Sequence, residues 1–255
     1  MKINKVFFLL FCGVHSFSQD FVSTAKVEYE MITNINGSFQ NPEAYLYFNN
    51  MFSRFDFKNK ETSDKISEIK NVENVSKIMI KKADTTTSSI FINPAKNVLY
   101  EIAYGEVIFE DNNLQNWELI DEQKVIGNFQ CSKAICSFRG RDYTAWYANS
   151  IPVVFGPWKF NGLPGLIVEI YDSKKEVYMS VKKINMPFSK NINGIDPNKT
   201  LISREEAQKK VTEKLAKQKK DLEERARIIE SSFSKENKVK IKVSEPILSK
   251  GIEIE

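Results

Sequence analysis

Short stretches in which apolar and polar residues alternate, separated by turn-forming residues, constrain the fold of this chain most strongly. Val27, Tyr29 and Met31 alternate with charged residues, and this period of two places them on one face of a half-buried strand. Turn signals such as the Asn-rich segment 34–37 recur about every ten residues. The pattern predicts a mainly β chain, with a curved antiparallel sheet or half-barrel meander.

The same pattern continues along most of the chain, and two of the connections between predicted strands contain turn-forming residues. Gly140-Arg141-Asp142 predicts one turn, and Pro164-Gly165 predicts another. Residues 58–77 are polar and charged, which predicts a surface loop. Strands are predicted at residues 22–33, 44–57 (broken into a hairpin at Asn49-Asn50), 78–81, 88–92, 97–103, 105–110, 116–120, 131–139, 143–148, 166–171 and 177–184.

One long C-terminal α-helix is predicted over about 203–231, where Ser203 and Glu206 form a capping box. A narrow apolar stripe on an otherwise charged helix indicates that one side packs on a sheet, with a coiled coil as the alternative. Residues 239–243 and 252–254 alternate again and predict a short C-terminal strand region. The stripe consists of Ala207, Val211, Leu215, Leu222, Ala226 and Ile229.

The N-terminus has the pattern of a secretory signal. Lys2 and Lys5 precede the apolar run 6–14, and Ser16-Phe17-Ser18 supplies a small-residue cleavage site. The run is shorter than the roughly 20 residues needed to span a bilayer. The alternatives are a buried N-terminal element or lipidation at Cys12. We predict a signal peptide over residues 1–18, with residues 19–255 forming a single β-rich domain.

Composition excludes several classes of function. The 255 residues include one histidine, His15, so a mature chain without residues 1–18 cannot use Ser-His-Asp or Cys-His catalysis or bind zinc through histidine. The formal net charge of +4 includes Lys2 and Lys5 and is too balanced to indicate nucleic-acid binding. No cofactor, no metal and no transmembrane segment of the mature chain are predicted.

Cys131 and Cys136 lie in a segment without Gly or Pro that is predicted to be a strand. Five strand steps separate their Cα atoms by about 16 Å, whereas a disulfide requires less than about 7 Å. Their parity also places them on opposite faces. We predict two unbridged cysteines, at least one of them buried, unless a turn near Ser132-Lys133 brings them together.

The most distinctive motif is Gly162-Leu163-Pro164-Gly165-Leu166-Ile167, preceded by Phe155-Gly156-Pro157-Trp158-Lys159-Phe160-Asn161. With its flanks over residues 127–172, it resembles the GLPGLI family of exported proteins, found mostly in Bacteroidetes. Cys136 departs from what the family leads us to expect. The resemblance implies export and lineage, and no reaction, since the family has no established function.

The motif itself predicts a turn followed by a core strand. Leu166, Val168 and Ile170 are expected on one face and Glu169 on the other. Either this hairpin only closes the sheet, or the turn and its aromatic neighbours line a cleft. On the second interpretation, the candidate ligand- or partner-binding residues are Arg139, Arg141, Trp146, Trp158, Phe160, Gly162, Leu163, Pro164 and Gly165.

Each candidate also has a structural explanation. Arg139 and Arg141 could hold a carboxylate or phosphate, or pair with Asp142 or Glu169. Trp146 and Trp158 could stack on a sugar or lipid, although core packing is the ordinary role of such residues.

Two functions remain open. The first is a non-enzymatic binding module, in the periplasm, at the outer membrane or secreted, for an apolar small molecule or an outer-membrane protein. It predicts an apolar pocket of several hundred Å³ beside the Gly-Pro turn. The alternative is a carboxylate-dependent hydrolase, which requires Glu169 and either Asp142 or Asp172 about 5 to 10 Å apart on one concave face.

Overall fold

A computed structural model describes residues 20–35, 37–58, 65–72, 75–81, 87–103, 105–111, 115–232 and 239–241. The described part of the chain is mainly β. The described part contains one α-helix, α1 (Arg204–Ser232), and a 3₁₀ turn, Pro94–Lys96. The strands are β1 Phe21–Ser23, β2 Ala25–Ile35, β3 Ser38–Gln40, β4 Glu43–Phe48, β5 Ser53–Lys58, β6 Lys65–Val72, β7 Val75–Lys81, β8 Thr87–Asn93, β9 Val98–Ala103, β10 Glu106–Asp111, β11 Glu118–Ile126, β12 Phe129–Phe138, β13 Arg141–Ala148, β14 Leu166–Asp172, β15 Val177–Asn185, β16 Lys190–Ile192, β17 Leu201–Ile202 and β18 Val239–Ile241.

Most strands belong to one long sheet, with the order β11-β12-β13-β14-β15-β2-β4-β5-β8-β9-β10-β17 and β3 beside β2. Two consecutive antiparallel series, β11 to β15 and β2 to β10, are joined where β15 pairs with β2. The short β17 pairs parallel to β10. The predicted curved antiparallel sheet is confirmed, and the sheet does not close into a barrel. Two small sheets, β1-β16 and β18-β7-β6, complete the described strands.

Two local predictions were wrong. Part of the expected loop 58–77 forms strands β6 and β7, although its apolar residues are too sparse and irregular to show a period of two. The turn between β12 and β13 consists of Arg139 and Gly140, since Phe138 pairs with Arg141. Both turn residues have positive φ, 50° and 75°, as two-residue type I′ hairpin loops require.

Helix α1 begins where it was predicted. Ser203 Oγ accepts a hydrogen bond from the backbone N–H of Glu206 at 3.2 Å, which caps the helix. Ala207 packs with residues of β9, β10 and β17 in a small buried cluster, so the predicted packing on a sheet is confirmed for the first turn of this helix. In the described part of the chain, no helix is both long and apolar enough to cross a membrane.

The main core lies on one side of the long sheet, which we call the inner face, and the opposite side is the outer face. Alternate residues of nearly every long strand point inward, such as Val27, Leu46 and Ile90. The segment 149–165 crosses this face and adds its own apolar side chains to the same cluster. The inner face is therefore a packed interior between the sheet and segment 149–165, which we call the motif loop.

Contacts between distant strands show how strongly the sheet curls. Arg139, at the β12–β13 turn, donates a hydrogen bond to Glu110 on β10 at 2.5 Å. In the strand order, β12 and β10 are nine steps apart, which in a flat sheet corresponds to about 43 Å at about 4.8 Å per step. The two ends of the sheet therefore meet through side chains rather than through strand pairing.

Candidate functional site

The hexapeptide of the motif loop forms a tight connection between the loop and β14. Gly162 has φ of 97°, a conformation that favours glycine. A Cβ on Gly165 would lie 2.4 Å from the carbonyl oxygen of Ala148, so only glycine allows this close backbone approach. Leu163 is buried, whereas Gly162 and Pro164 are exposed. The geometry explains the motif by backbone conformation and packing.

The aromatic residues of the motif loop fill the inner face. Trp158 and Phe160 are 4% and 0% exposed. Phe160 lies edge-on to Tyr143, with ring centroids 4.7 Å apart, and Trp158 packs edge-on against Phe138 at 5.9 Å. These side chains occupy the space in which the apolar pocket beside the Gly-Pro turn was expected. The sequence could not separate the two cases, because the same residue types line a pocket or fill it.

A buried ionic cluster, which we call the clasp, joins the motif loop to the two ends of the sheet. Lys159 Nζ lies 2.8 Å from both Glu101 Oε2 and Glu110 Oε1. Glu110 also accepts hydrogen bonds from Arg139 and, at 2.6 Å, from Arg204 Nη1. The clasp thus connects β9 and β10, the β12–β13 turn, the motif loop and the first residue of α1.

Glu110 is the acceptor shared by all three cations of the clasp. Burial by itself would raise the pKa of the Glu110 carboxyl, but the ion pairs with Lys159, Arg204 and Arg139 outweigh it, and the net shift is downward. The carboxylate is therefore charged at neutral pH. Sequence reasoning missed this residue, because its partners lie up to 94 positions away along the chain.

Hydrogen bonds from amide and indole groups also hold the motif loop in place. The side chain of Gln115 donates to the carbonyl oxygen of Lys159 at 3.3 Å and accepts from the backbone N–H of Asn161 at 3.0 Å. Trp117 Nε1 donates to the carbonyl oxygen of Asn161 at 2.9 Å. The segment that leads into β11 is thereby tied to the motif loop.

Arg141 is engaged within the fold. Its guanidinium donates to Asp172 at 2.5 Å and to Glu176 at 2.7 Å, and its side chain is buried. The expected partners Asp142 and Glu169 were wrong for both arginines. Asp142 accepts instead from Ser137 Oγ. The cause is the position of the turn, which places Arg141 on the inner face beside Asp172.

Glu169 lies on the outer face and has partners from two other strands, β11 and β15. Lys124 Nζ is 2.6 Å from its Oε1, and Tyr178 Oη is 3.4 Å from its Oε2. The simple alternation predicted for β14 was wrong, because the register shifts between Trp146 and Tyr147. As a result Val168 points outward, with Trp146, while Ile170 points inward.

The carboxylate pair needed by the hydrolase alternative is not assembled. Asp172 pairs with Tyr143 and shares its inner-face position, whereas Glu169 is on the outer face. Asp142 is also on the outer face, but four residues along β13 from Trp146, the partner of Glu169. That separation is about 13 Å along the strand, beyond the range for paired glycosidase carboxylates.

Two open grooves lie along the sheet, the larger on the outer face and the smaller at the ends of β4, β5 and β8, where Phe57 of the inner face also lines it. The larger, of about 380 Å³, is lined by Glu169, Tyr171, Lys175 and Tyr178. The smaller, of about 170 Å³, is lined by six residues of β4, β5 and β8. These six residues are Glu43, Tyr45, Asp56, Phe57, Lys58 and Thr87.

One row of cross-strand neighbours connects the two grooves. Glu169 pairs with Ser180, Ser180 with Glu30, Glu30 with Glu43, and Glu43 with Lys58. All five residues keep solvent exposure. We call this row and its two grooves the trough. Sequence reasoning missed it, because the row is defined by strand register and not by any local motif.

Trp146 and the two cysteines belong to packed regions. Trp146 is buried with Cys131 and Val168 in a small outer-face cluster, and Lys124 Nζ lies 4.4 Å from the centre of its ring. Cys136 belongs to the inner-face core, where burial raises its pKa to about 12. Both cysteines are free and buried, so the predicted unbridged pair on opposite faces is confirmed.

One protein-family model matches the motif loop and its flanks. Residues 139–169 match a family described as a protein of unknown function (Porph_ging). They extend from the β12–β13 turn through the motif loop into β14. This Bacteroidetes-associated family is consistent with the lineage expected from the sequence, and the finer GLPGLI assignment stays a prediction. No curated protein matches the chain.

Among solved structures, the chain is similar to PNGF-II in two crystal forms, C2 and P21. The identities are 18% and 17%, the TM-scores 0.45 and 0.48, and the matches cover 71% and 73% of this chain. They cover 31% and 32% of the PNGF-II chains, so this chain spans about a third of their length. At these TM-scores the likeness carries no argument about function.

Proposed function

We propose that this chain is an exported, non-enzymatic binding module of the cell envelope, of the GLPGLI type, that contacts its partner through the outer face. The observation that carries the proposal is the contrast between a filled inner face and an open trough. Binding sites are concave surfaces with a few convergent polar groups beside apolar ones. The larger groove, where Glu169 and Lys175 lie beside Tyr171 and Tyr178, has these features.

The inner face is a poor place for a ligand, because access requires breaking the clasp. A ligand there would displace Trp158 or Phe160 and separate Glu110 from its cations. Removing one partner from a buried ion pair costs about 3 to 5 kcal/mol. An apolar small molecule of the kind expected from the sequence would have to recover this energy, whereas a partner on the outer face would not.

Export is supported by the order of charged, apolar and small residues over positions 1–18. These positions lie outside the described residues. We place the mature chain in the periplasm or at the outer membrane.

Native mass spectrometry of the chain, purified from the envelope of a Bacteroidetes host, tests the proposal. We expect a polypeptide that begins near Gln19 and carries no retained apolar molecule. A full-length cytoplasmic chain would contradict export, and a lipid-sized adduct would contradict outer-face binding.

Photo-crosslinking in the same cells locates the contact surface. A crosslinking amino acid at Tyr178 is expected to give a discrete adduct, which substitution of Tyr171 by alanine weakens. The matched control is the same crosslinker at Lys220, which is exposed on α1. Equal labelling at both positions would show that the trough has no special role.

A further inference from the structure

We propose that one end of the long sheet attaches the protein to the surface of an anionic phospholipid bilayer. This inference goes beyond the proposed function, because it uses another part of the molecule and a partner of another class. Three observations carry it: a group of exposed apolar side chains at the sheet end, a turn whose polar groups are already hydrogen-bonded, and two cations behind them.

Three large apolar side chains are exposed at the end of the sheet where β4 turns into β5. Val22 is 51% exposed, Met51 60% and Met186 54%. They belong to β1, to the β4–β5 turn and to the connection that follows β15. We call these three side chains the apolar tip. Single exposed apolar residues are ordinary, whereas a group of them marks an interaction surface.

Hydrogen bonds hold the three segments of the apolar tip next to each other. Asn49 Nδ2 in the turn donates to the carbonyl oxygen of Val22 at 3.3 Å. The backbone N–H of Phe188, two residues after Met186, donates to the carbonyl oxygen of Thr24 at 3.0 Å. The three side chains therefore lie at one end of the sheet rather than in separate places.

The turn that carries Met51 has its polar groups paired. Asn49 Oδ1 accepts hydrogen bonds from the backbone N–H groups of Met51 and Phe52, at 2.8 and 2.9 Å. The backbone N–H of Asn49 donates to the carbonyl oxygen of Phe52 at 3.0 Å. Unpaired backbone groups are costly away from water, so a turn closed in this way can enter the headgroup region at low cost. Methionine is also flexible enough to adapt to an irregular layer of acyl chains.

Two lysines lie behind the apolar tip. Lys26 Nζ is 4.2 Å from the centre of the Tyr45 ring, and Lys190 Nζ is 5.2 Å from the centre of the Tyr47 ring. These tyrosines precede the last residue of β4 by three positions and one position, or about 3 to 10 Å at about 3.3 Å per residue. Interfacial apolar groups enter a bilayer by about 5 to 10 Å. Lysines at this depth meet the lipid phosphates.

The charges at this end of the sheet favour an anionic surface. The charged side chains of the segments that form it, residues 20–26, 45–54 and 185–191, are Lys26, Arg54, Lys190 and Asp20. Arg54 is paired with Asp56 at 2.6 Å, and Asp20 accepts a hydrogen bond from the backbone N–H of Gly194. Neither lysine forms an ion pair with a carboxylate of the described residues. Both are available to anionic headgroups, which attract basic side chains near a membrane.

A lipid surface fits this end of the sheet better than a folded protein does. The two open grooves are lined by other residues, and Met51 projects from a turn beyond the strand ends. A protein partner would have to supply a recess that matches the apolar tip. A bilayer needs no such recess, because its headgroup layer yields to apolar side chains and places negative charge around them.

Co-sedimentation of the mature full chain with vesicles of equimolar phosphatidylcholine and phosphatidylglycerol tests the proposal. We expect binding to these vesicles, and weaker binding at high salt or to phosphatidylcholine alone. Lys26→Gln and Lys190→Gln are each expected to weaken binding about fivefold. Lys220→Gln, at an exposed position of α1, is the control and is expected to leave binding unchanged.

A matched pair of double variants tests the apolar tip itself. Met51→Gln with Met186→Gln keeps side-chain size and removes apolar character, and is expected to weaken vesicle binding about tenfold or more. The control is Leu119→Asn with Val125→Thr on β11, at side chains that are 58% and 67% exposed. It is expected to change binding less than about twofold. Circular dichroism checks that both variants are folded.

A fluorophore that reports polarity measures insertion directly. Cys131 and Cys136 are buried, so a thiol-reactive label attaches to a cysteine introduced at the surface. The label on Met51→Cys is expected to shift to shorter wavelength when the vesicles are added. The same label on Leu119→Cys is expected to keep its emission in water.

The outcomes separate this inference from the proposed function. Absence of binding to the anionic vesicles overturns the inference, as does equal loss in the two double variants. Binding that needs the lysines while the label on Met51→Cys stays in water shows adsorption by charge alone, and also overturns it. If the vesicles do not bind but the crosslinker at Tyr178 captures an envelope protein, membrane attachment is wrong and outer-face binding stands.

Discussion

The two faces of the long sheet differ in how their polar groups are used. On the inner face, Glu110 and Lys159 are buried and bound to each other, and aromatic rings of the motif loop surround them. On the outer face, the half-buried Glu30 and the exposed Glu43 are direct cross-strand partners. Buried charges are stable only when paired, so the inner ion pairs hold the motif loop against the two ends of the sheet. The outer pair keeps contact with solvent, so another molecule can reach it.

The residues matched by the family model lie mainly in the motif loop and its flanks, which help to hold the two ends of the sheet together. Residues 139–169 include Arg139, Lys159 and the whole motif loop, but of the row that defines the trough they include only Glu169. The signature of this chain therefore describes how the ends of a strongly curled sheet are held together. The residues that we propose as the contact surface lie largely outside it.

The largest expected effect is the loss of an inner-face ring. Phe160→Ala is expected to lower the free energy of unfolding by about 3 to 5 kcal/mol, because it leaves a cavity in a fully buried site. Urea denaturation measures this. The control is Val154→Ala in the same loop, at a side chain that is 39% exposed, with an expected loss below about 0.5 kcal/mol. Equal losses would contradict a filled inner face.

Breaking the clasp is expected to have the next largest effect. Glu110→Gln should destabilise the fold by about 3 kcal/mol at neutral pH, because it leaves the buried Lys159 and the partly buried Arg139 and Arg204 without their shared acceptor. Glu106→Gln on the same strand is the control. Its pair with Lys210 is exposed at 3.4 Å, and such pairs contribute about 1 kcal/mol or less.

The clasp also predicts a specific pH dependence. The folded pKa of Glu110 is lowered, so its contribution to stability is present above the unfolded value of about 4.3 and is lost as the pH falls through the folded pKa. The difference in unfolding free energy between wild type and Glu110→Gln should therefore shrink below about pH 4. A difference that stays constant from pH 7 to pH 3 would show that Glu110 does not titrate as the clasp requires.

A smaller effect is expected from the glycine that seals the motif loop to β13. Gly165→Ala should cost about 1 to 3 kcal/mol through overpacking, since the added Cβ meets the backbone of Ala148. Gly127→Ala is the control, because its φ is 57° but its surroundings are open, and we expect a cost of about 1 kcal/mol. Thermal unfolding compares the two, and a smaller loss for Gly165→Ala would mean that the loop shifts easily.

The smallest effect on stability is expected on the outer face. Tyr178→Ala should lower the unfolding free energy by at most about 1 kcal/mol, the usual range of one cross-strand pair. It should nevertheless abolish most of the crosslinking from a crosslinking amino acid placed at Tyr171, its cross-strand partner. Chemical denaturation, compared with Phe160→Ala, measures the contrast. A loss as large as that of Phe160→Ala would make Tyr178 a core residue.

The sequence predicts the strands well wherever one face is buried, because a period of two then follows from burial itself. Residues 27–31 and the hairpin at Asn49-Asn50 are examples, and the capped helix at Ser203 follows from equally local chemistry. The prediction fails where pairing with another strand sets the direction in which a side chain points. The outward position of Val168 depends on a register shift against β13.

The candidate site could be predicted only in part. Residues of the motif loop are recognisable from their composition, but whether Trp158 and Phe160 line a pocket or fill it depends on how far the sheet curls. Glu110 meets Lys159 across 49 positions of sequence. The trough is a row of residues from separate strands. Neither the clasp nor the trough has a local pattern that a sequence could reveal.

Hydrogen exchange of the mature chain, followed by mass spectrometry, tests the central claim most directly, because it shows whether the motif loop is a fixed part of the interior. The N–H groups of Gly162, Phe160 and Ile151 are bonded to backbone carbonyls. We predict that peptides within residues 149–165 exchange as slowly as those of β14. Exchange of these peptides within seconds, while β14 stays protected, would show that the loop is a lid over a ligand cavity and would contradict the account.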